Sequence, residues 1–124
     1  MNRLEETMRD RLRVFDLQDG TGRFAISTPM YKVEGGLYEV YLVPNGVGGY
    51  VLSDEGSTWD ELDRVFELAE PDVIKNLVAI LRQYGCKKVG TAIQIDCQPT
   101  DVHVKMSYLI QAMSFMLNMK IFYV

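Results

Sequence analysis

The sequence predicts an α+β fold, in which an antiparallel sheet built from two hairpins and one further strand packs against about four helices. Three observations carry that expectation. Residues 37–43 and 50–52 are rich in aromatic and β-branched side chains and flank a short connection bearing Gly46, Gly48 and Gly49, which is the grammar of a hairpin. Residues 86–90 and 92–97 repeat it, with Ile93, Ile95 and Cys97 alternating along the second run. Between and after these runs, apolar residues recur at helical spacing.

Taken in order, Leu4, Met8, Leu12 and Phe15 share one face of an amphipathic helix ending near Asp16. Asp19, Gly20 and Gly22 then signal a turn. Phe24 and Ile26 alternate with smaller or polar neighbours in a half-buried strand, which Pro29 closes or confines to a sheet edge. In the first hairpin Tyr38, Val40 and Leu42 point one way and Tyr41 and Val43 the other. Both faces of that strand are therefore apolar, and the second needs covering by helices or by another molecule.

The next helix is announced by Thr58 and Glu61, whose T-x-x-E spacing is that of a capping box, and by the acidic Asp60 and Glu61 near its positive end. Leu62, Val65, Phe66 and Ala69 form its expected buried face. Pro71 suits the first position of a further helix, along which Val73, Ile74, Leu77, Val78, Leu81 and Tyr84 make a broad stripe, and Gly85 suits its end. If the second hairpin turns at Thr91-Ala92, Cys86 and Cys97 face each other across it. The last helix starts at Pro99-Thr100-Asp101 and aligns Val102, Met106, Leu109, Met113 and Met116, with Ile110 and Leu117 widening the face. The four apolar residues 121–124 call for a partner: a sheet strand, a second subunit or a following segment.

Size and composition bound the function. The 124 residues make a single domain, and 48% hydrophobic with 24% charged residues is the balance of a soluble globular chain. The formal charge of −4 repels a phosphate backbone, so nucleic-acid binding requires Arg9, Arg11, Arg13 and Lys87-Lys88 to share one face. Glu5, Glu6 and Asp10 interleave with the arginines, which describes a solvated helix face instead. No apolar run approaches the roughly 20 residues that span a bilayer, and the first residues lack the apolar core of a secretory signal. Two cysteines make no disulfide framework, so a cytoplasmic protein with reduced, buried thiols is expected.

The order of several short motifs is itself informative. Thr28-Pro29, Gly35-Gly36, residues 50–58 (Tyr-Val-Leu-Ser-Asp-Glu-Gly-Ser-Thr), Leu62, residues 80–85 (Ile-Leu-Arg-Gln-Tyr-Gly) and Gln111-Ala112-Met113 follow one another along the chain. In this order, over about residues 15–118, the chain resembles a family of small proteins of unknown function from bacteria and their phages. The resemblance implies a prokaryotic or phage setting and, in longer relatives, a further domain after this one. It implies no chemistry and no catalytic residue.

Candidate chemistry is thin. Asp54, Glu55, Asp60 and Glu61 are four carboxylates within eight residues, but they lack the alternating oxygen ligands around a central glycine of a hard-cation loop. The simpler account is a turn at Asp54-Glu55-Gly56 followed by the helix cap. Asp54 is nonetheless the foremost candidate, because an acid just after a strand is placed to stand exposed at the edge of a site. His103 is the sole histidine, which excludes any scheme needing two, and no nucleophile-elbow sequence accompanies it. Gly46, Gly48 and Gly49 lack the Lys-Ser/Thr of a phosphate loop and sit between strands.

Partner binding fits better. Tyr38, Tyr41, Tyr50, Asp54 and Trp59 are the candidate contact residues, and the methionines of the last helix suit either a core or a pliable interface. The sequence thus predicts a non-catalytic protein-binding module of a bacterium or phage, with an anti-defence inhibitor of a host system as its concrete form. It expects no cofactor and no metal, and a homo-oligomer through the C-terminal segment. The alternatives are a small hydrolase or metal-dependent enzyme using Asp54, Glu55 and His103, and a nucleic-acid-associated regulator.

Overall fold

A computed structural model describes residues 13–32, 35–64 and 68–123, with side chains left out at 13–15, 29, 31 and 120–123. Six strands form one sheet: β1 (Arg13–Asp16), β2 (Phe24–Tyr31), β3 (Leu37–Pro44), β4 (Tyr50–Ser53), β5 (Lys87–Val89) and β6 (Ala92–Cys97). Their spatial order is β1-β2-β3-β4-β6-β5, and every neighbouring pair is antiparallel. Three helices are described, α1 (Ser57–Asp63), α2 (Pro71–Gln83) and α3 (Val102–Tyr123). The fold is therefore α+β, with one strand more than the sequence suggests.

The extra strand is β1. Residues 13–16, expected to finish an amphipathic helix, pair instead with β2, Phe15 opposite Ala25 and Val14 opposite Ile26. The rest of that expected helix, Leu4 to Leu12, lies outside the described residues. Val14 and Phe15 are branched and aromatic residues that a neighbouring strand rewards, so the open edge of β2 outweighs the helical spacing.

Helices and sheet share one core. Phe24, Ile26, Tyr38, Val40, Leu42, Leu52, Ile93, Ile95 and Cys97 project from one face of the sheet and are buried. Against them α3 lays Val102, Met106, Leu109, Ile110, Met113, Met116 and Leu117, all buried as the sequence predicts. The methionines are thus core, Met119 included. The C-terminal residues continue α3 to Tyr123, so they do not form a strand. Burying a Leu, Ile or Met side chain contributes roughly 1.5–3 kcal/mol, and this shared face holds the two layers together.

Helix α2 begins at Pro71 and buries Val73, Leu77 and Leu81. It stops in a Schellman arrangement: Gly85 adopts a φ of 70°, Cys86 N donates to Leu81 O (2.8 Å) and Gly85 N to Arg82 O (3.2 Å). Of the face expected for the preceding helix, Leu62 is buried, Ala69 is exposed, and Val65 and Phe66 lie outside the described residues.

The β5–β6 hairpin turns one residue earlier than predicted, at Gly90-Thr91. Val89 pairs with Ala92 and Lys87 with Gln94, so Cys97 lies opposite Tyr50 of β4 and not opposite Cys86. Both thiols are free and buried, and burial pushes them up, Cys86 to about 11 and Cys97 to about 12. The same register puts Lys87 and Lys88 on opposite faces of β5. Lys87 reaches Asp96 (3.5 Å) and Lys88 sits over the Trp59 ring (4.7 Å), so the pair does not form one basic patch. Among the described residues no helix is long and apolar enough to cross a membrane.

Candidate functional site

The strand alternation that buries Tyr38, Val40 and Leu42 turns Leu37, Glu39 and Tyr41 to the opposite face of β3. There they meet the turn joining β4 to α1. A cleft of about 470 Å³ opens between them, lined by Leu37, Glu39 and Tyr41 from β3, Lys32 at the end of β2, residues 54–57 and Asp60 from the turn and α1, and Thr91 from the β5–β6 turn.

The wall is shaped by Asp54. Its side chain is only 1% exposed, which overturns the expectation of an acid standing at a site edge. Oδ1 accepts from Gly56 N (2.9 Å) and Ile93 N (2.8 Å), and Oδ2 accepts from Thr58 N (3.1 Å). The Asp54 backbone N–H donates to Ile93 O (3.1 Å), extending the β4–β6 ladder one step past Ser53. A buried carboxylate needs such donors, and hydrogen bonds to a charged acceptor contribute about 1.5–3 kcal/mol each. Asp54 thus ties the turn to β6, 39 residues away.

The turn has a backbone to match. Glu55 (φ 58°) and Gly56 (φ 90°) are both left-handed. A Cβ on Gly56 would come within 2.9 Å of Thr91 Oγ1, so conformation and space both require glycine there. Helix α1 begins immediately, Asp60 N donating to Gly56 O (3.0 Å). Because the helix starts two residues earlier than the T-x-x-E spacing suggests, the capping box does not form. Thr58 lies inside the first turn with Oγ1 buried and unpartnered among the described residues, while Glu61 reaches Lys32 Nζ (3.2 Å). Asp54 takes the capping role instead.

Charges at the rim are mostly engaged. Glu55 pairs with Arg23 (2.8 Å), Asp60 with Arg64 (3.1 Å), and Lys32 is held between Glu61 and the Tyr38 ring (5.9 Å to its centre). Glu39 stands at the cleft with no ion pair among the described residues.

Of the residues singled out from sequence, Tyr41, Asp54 and Glu55 come together here. Tyr38 is core, and Tyr50 and Trp59 are half-buried against the core. His103 sits in the first turn of α3 and does not line the cleft. Among the described residues no three of His, Cys, Asp and Glu are grouped to hold a metal ion. Lys32, Leu37, Glu39 and Thr91 were not foreseen. That Glu39 shares a face with Tyr41 was readable from alternation along β3, whereas Lys32 and Thr91 arrive through long-range pairing that no local pattern encodes. Compared with protein-family models, with characterised proteins and with solved structures, the chain matches none.

Proposed function

We propose that this chain is a non-catalytic protein-binding module whose cleft receives a basic side chain of a protein partner. The observation that carries this reading is the meeting of Tyr41 and Leu37 in one concave site with Glu39, which has no ion pair among the described residues. A lysine or arginine has an apolar stem and a charged tip, which suits an aromatic and aliphatic wall ending in a carboxylate. An acid/base or metal reading gains nothing from this geometry. Both Asp54 oxygens are occupied by backbone donors, and His103 lies elsewhere. In the bacterial or phage setting that the motif order suggests, the concrete form proposed is an accessory or inhibitory protein acting on a host system, an anti-defence factor being one such case.

Affinity capture from bacterial and phage-infected lysates, read by mass spectrometry, tests it. Wild type is expected to retain one stoichiometric protein that Glu39→Lys and Tyr41→Ala lose while remaining folded. A blank in both lysates, or capture indifferent to both substitutions, overturns it.

A further inference from the structure

The sheet is interrupted beside the cleft. Strands β3 and β4 pair from Pro44 opposite Tyr50 to Tyr41 opposite Ser53, where β4 ends, yet β3 includes Leu37 to Val40 as well. In an antiparallel pair, alternate residues direct both N–H and C=O to the same neighbouring strand. Asn45 N donates to Gly49 O (3.1 Å), which sets the odd-numbered residues of β3 toward β4. Tyr38 O accepts from Thr28 Oγ1 of β2 (2.9 Å), which sets the even-numbered ones the other way. Continued, the ladder would join Glu39 to Glu55 and Leu37 to Ser57. Neither rung forms. Glu55 turns left-handed (φ 58°) with its N–H on Ser53 Oγ (3.0 Å), and Ser57 N donates to Asp54 O (3.3 Å). The N–H and C=O groups of Leu37 and Glu39 thus face a gap, with no partner among the described residues.

We infer that an extended segment of the partner adds to β3 in this gap, antiparallel to it, in the place that β4 leaves. This rests on the reading of the cleft as a protein-binding site and states how the partner is held. In strand addition, backbone pairing supplies affinity and side chains at alternate positions supply specificity. The segment's residue opposite Glu39 directs its side chain to the face that Glu39 shares with Tyr41, and a basic one is attracted there. Two residues further along the segment, an apolar side chain meets the exposed Leu37. The partner motif is therefore basic-x-apolar in an extended stretch.

Charge favours this occupant. The residues lining the cleft include Glu39, Asp54, Glu55 and Asp60 against a single cation, Lys32, so the potential there complements a basic segment. The gap is also held open. Through Gly56 N, Thr58 N and Ile93 N, the buried Asp54 carboxylate fixes the departing chain to β6 and α1, away from β3. The outer edge of β5 differs: it is three residues long and two of them are lysines, which guard an edge against pairing.

An NMR titration of the full chain with the peptide acetyl-Arg-Thr-Val-Thr-amide tests it. The amide signals of Leu37 and Glu39 are expected to shift and their hydrogen exchange to slow, while Tyr38 and Val40, already turned to β2, change little. Replacing the valine N–H of the peptide with an ester oxygen removes the donor to Leu37 O, and binding should weaken about 10-fold. The same replacement at the second residue, whose N–H points away from β3, should cost little. Acetylarginine amide alone separates this inference from the reading beneath it. If it binds the cleft as tightly as the peptide, or if the valine ester costs nothing, strand addition is overturned and the site for a basic side chain stands. If neither ligand shifts a residue of the cleft, both fall.

Discussion

Two aspartates in two turns begin with the same hydrogen bond and end in different roles. Asp19, between β1 and β2, accepts from the backbone N–H two residues on, Thr21 N (3.0 Å), as Asp54 accepts from Gly56 N (2.9 Å). This is the local bond that makes aspartate a turn residue. Every further partner of Asp19 is local as well: the Thr21 hydroxyl and the Arg23 guanidinium (3.1 Å), all in contact with water. Asp54 reaches Thr58 N within the next helix and Ile93 N across the sheet, and it is buried. One carboxylate shapes a loop, whereas the other joins a turn, a helix and a strand. The type of residue and its first bond do not decide between these roles. Burial and the distance in sequence to the remaining donors do.

The largest expected effect is at Asp54. Removing its side chain strands three buried N–H groups, each costing about 1–3 kcal/mol, so Asp54→Ala should lose about 4 kcal/mol. Asp54→Asn, which sets an amide N–H against a backbone donor, should lose nearly as much. Urea melts measure both, and an unchanged midpoint for Asp54→Asn would erase the distinction between the two aspartates.

Next is Gly56→Ala, expected to cost about 2 kcal/mol through its left-handed backbone and its approach to Thr91. Adding Thr91→Ala should recover the part due to crowding and leave the part due to φ. A third comparison sharpens the assignment of the cap. If Asp54 caps α1, Thr58→Val removes only a buried, unpartnered hydroxyl, and thermal unfolding should show a gain of up to about 1 kcal/mol. A true capping box would instead lose about 1 kcal/mol.

The smallest effect is at Asp19. The Thr21 hydroxyl and backbone N–H, followed by Arg23, lower its carboxyl from 3.8 to about 2. A depressed folded-state value means the contribution is present above pH 3.8 and is lost as pH falls through about 2. Asp19→Asn should therefore lower the midpoint at neutral pH, only slightly because the group is fully exposed, and the difference from wild type should fade as pH falls from 3.8 through about 2. Carboxyl titration by NMR, with melts at each pH, checks both halves.

Much of the fold was legible because its elements are locally consistent. The first hairpin, the Pro71 start and Gly85 stop of α2, and the buried face of α3 follow from alternation, cap chemistry and helical spacing. Three expectations failed for a common reason. Residues 13–16 have helical spacing but find an open strand edge, Thr58 has the right spacing for a cap but begins too late, and the cysteines face each other only in a register whose turn falls one residue later. In each case a long-range partner outweighed a local preference worth about 1 kcal/mol or less.

By itself the sequence determined the α+β class, the antiparallel first hairpin, the core face of α3 and the opposite facing of Tyr38 and Tyr41 on β3, because backbone geometry and side-chain period are local properties. Tertiary structure alone decided that Asp54 is a buried brace, that Lys32, Glu39 and Thr91 gather at one cleft, and that Val104, Tyr108 and Phe115 remain uncovered. These depend on which donors, charges and surfaces distant segments bring to one place. The energy of a buried carboxylate or an exposed aromatic ring is set by its neighbours in space, and sequence order does not fix them.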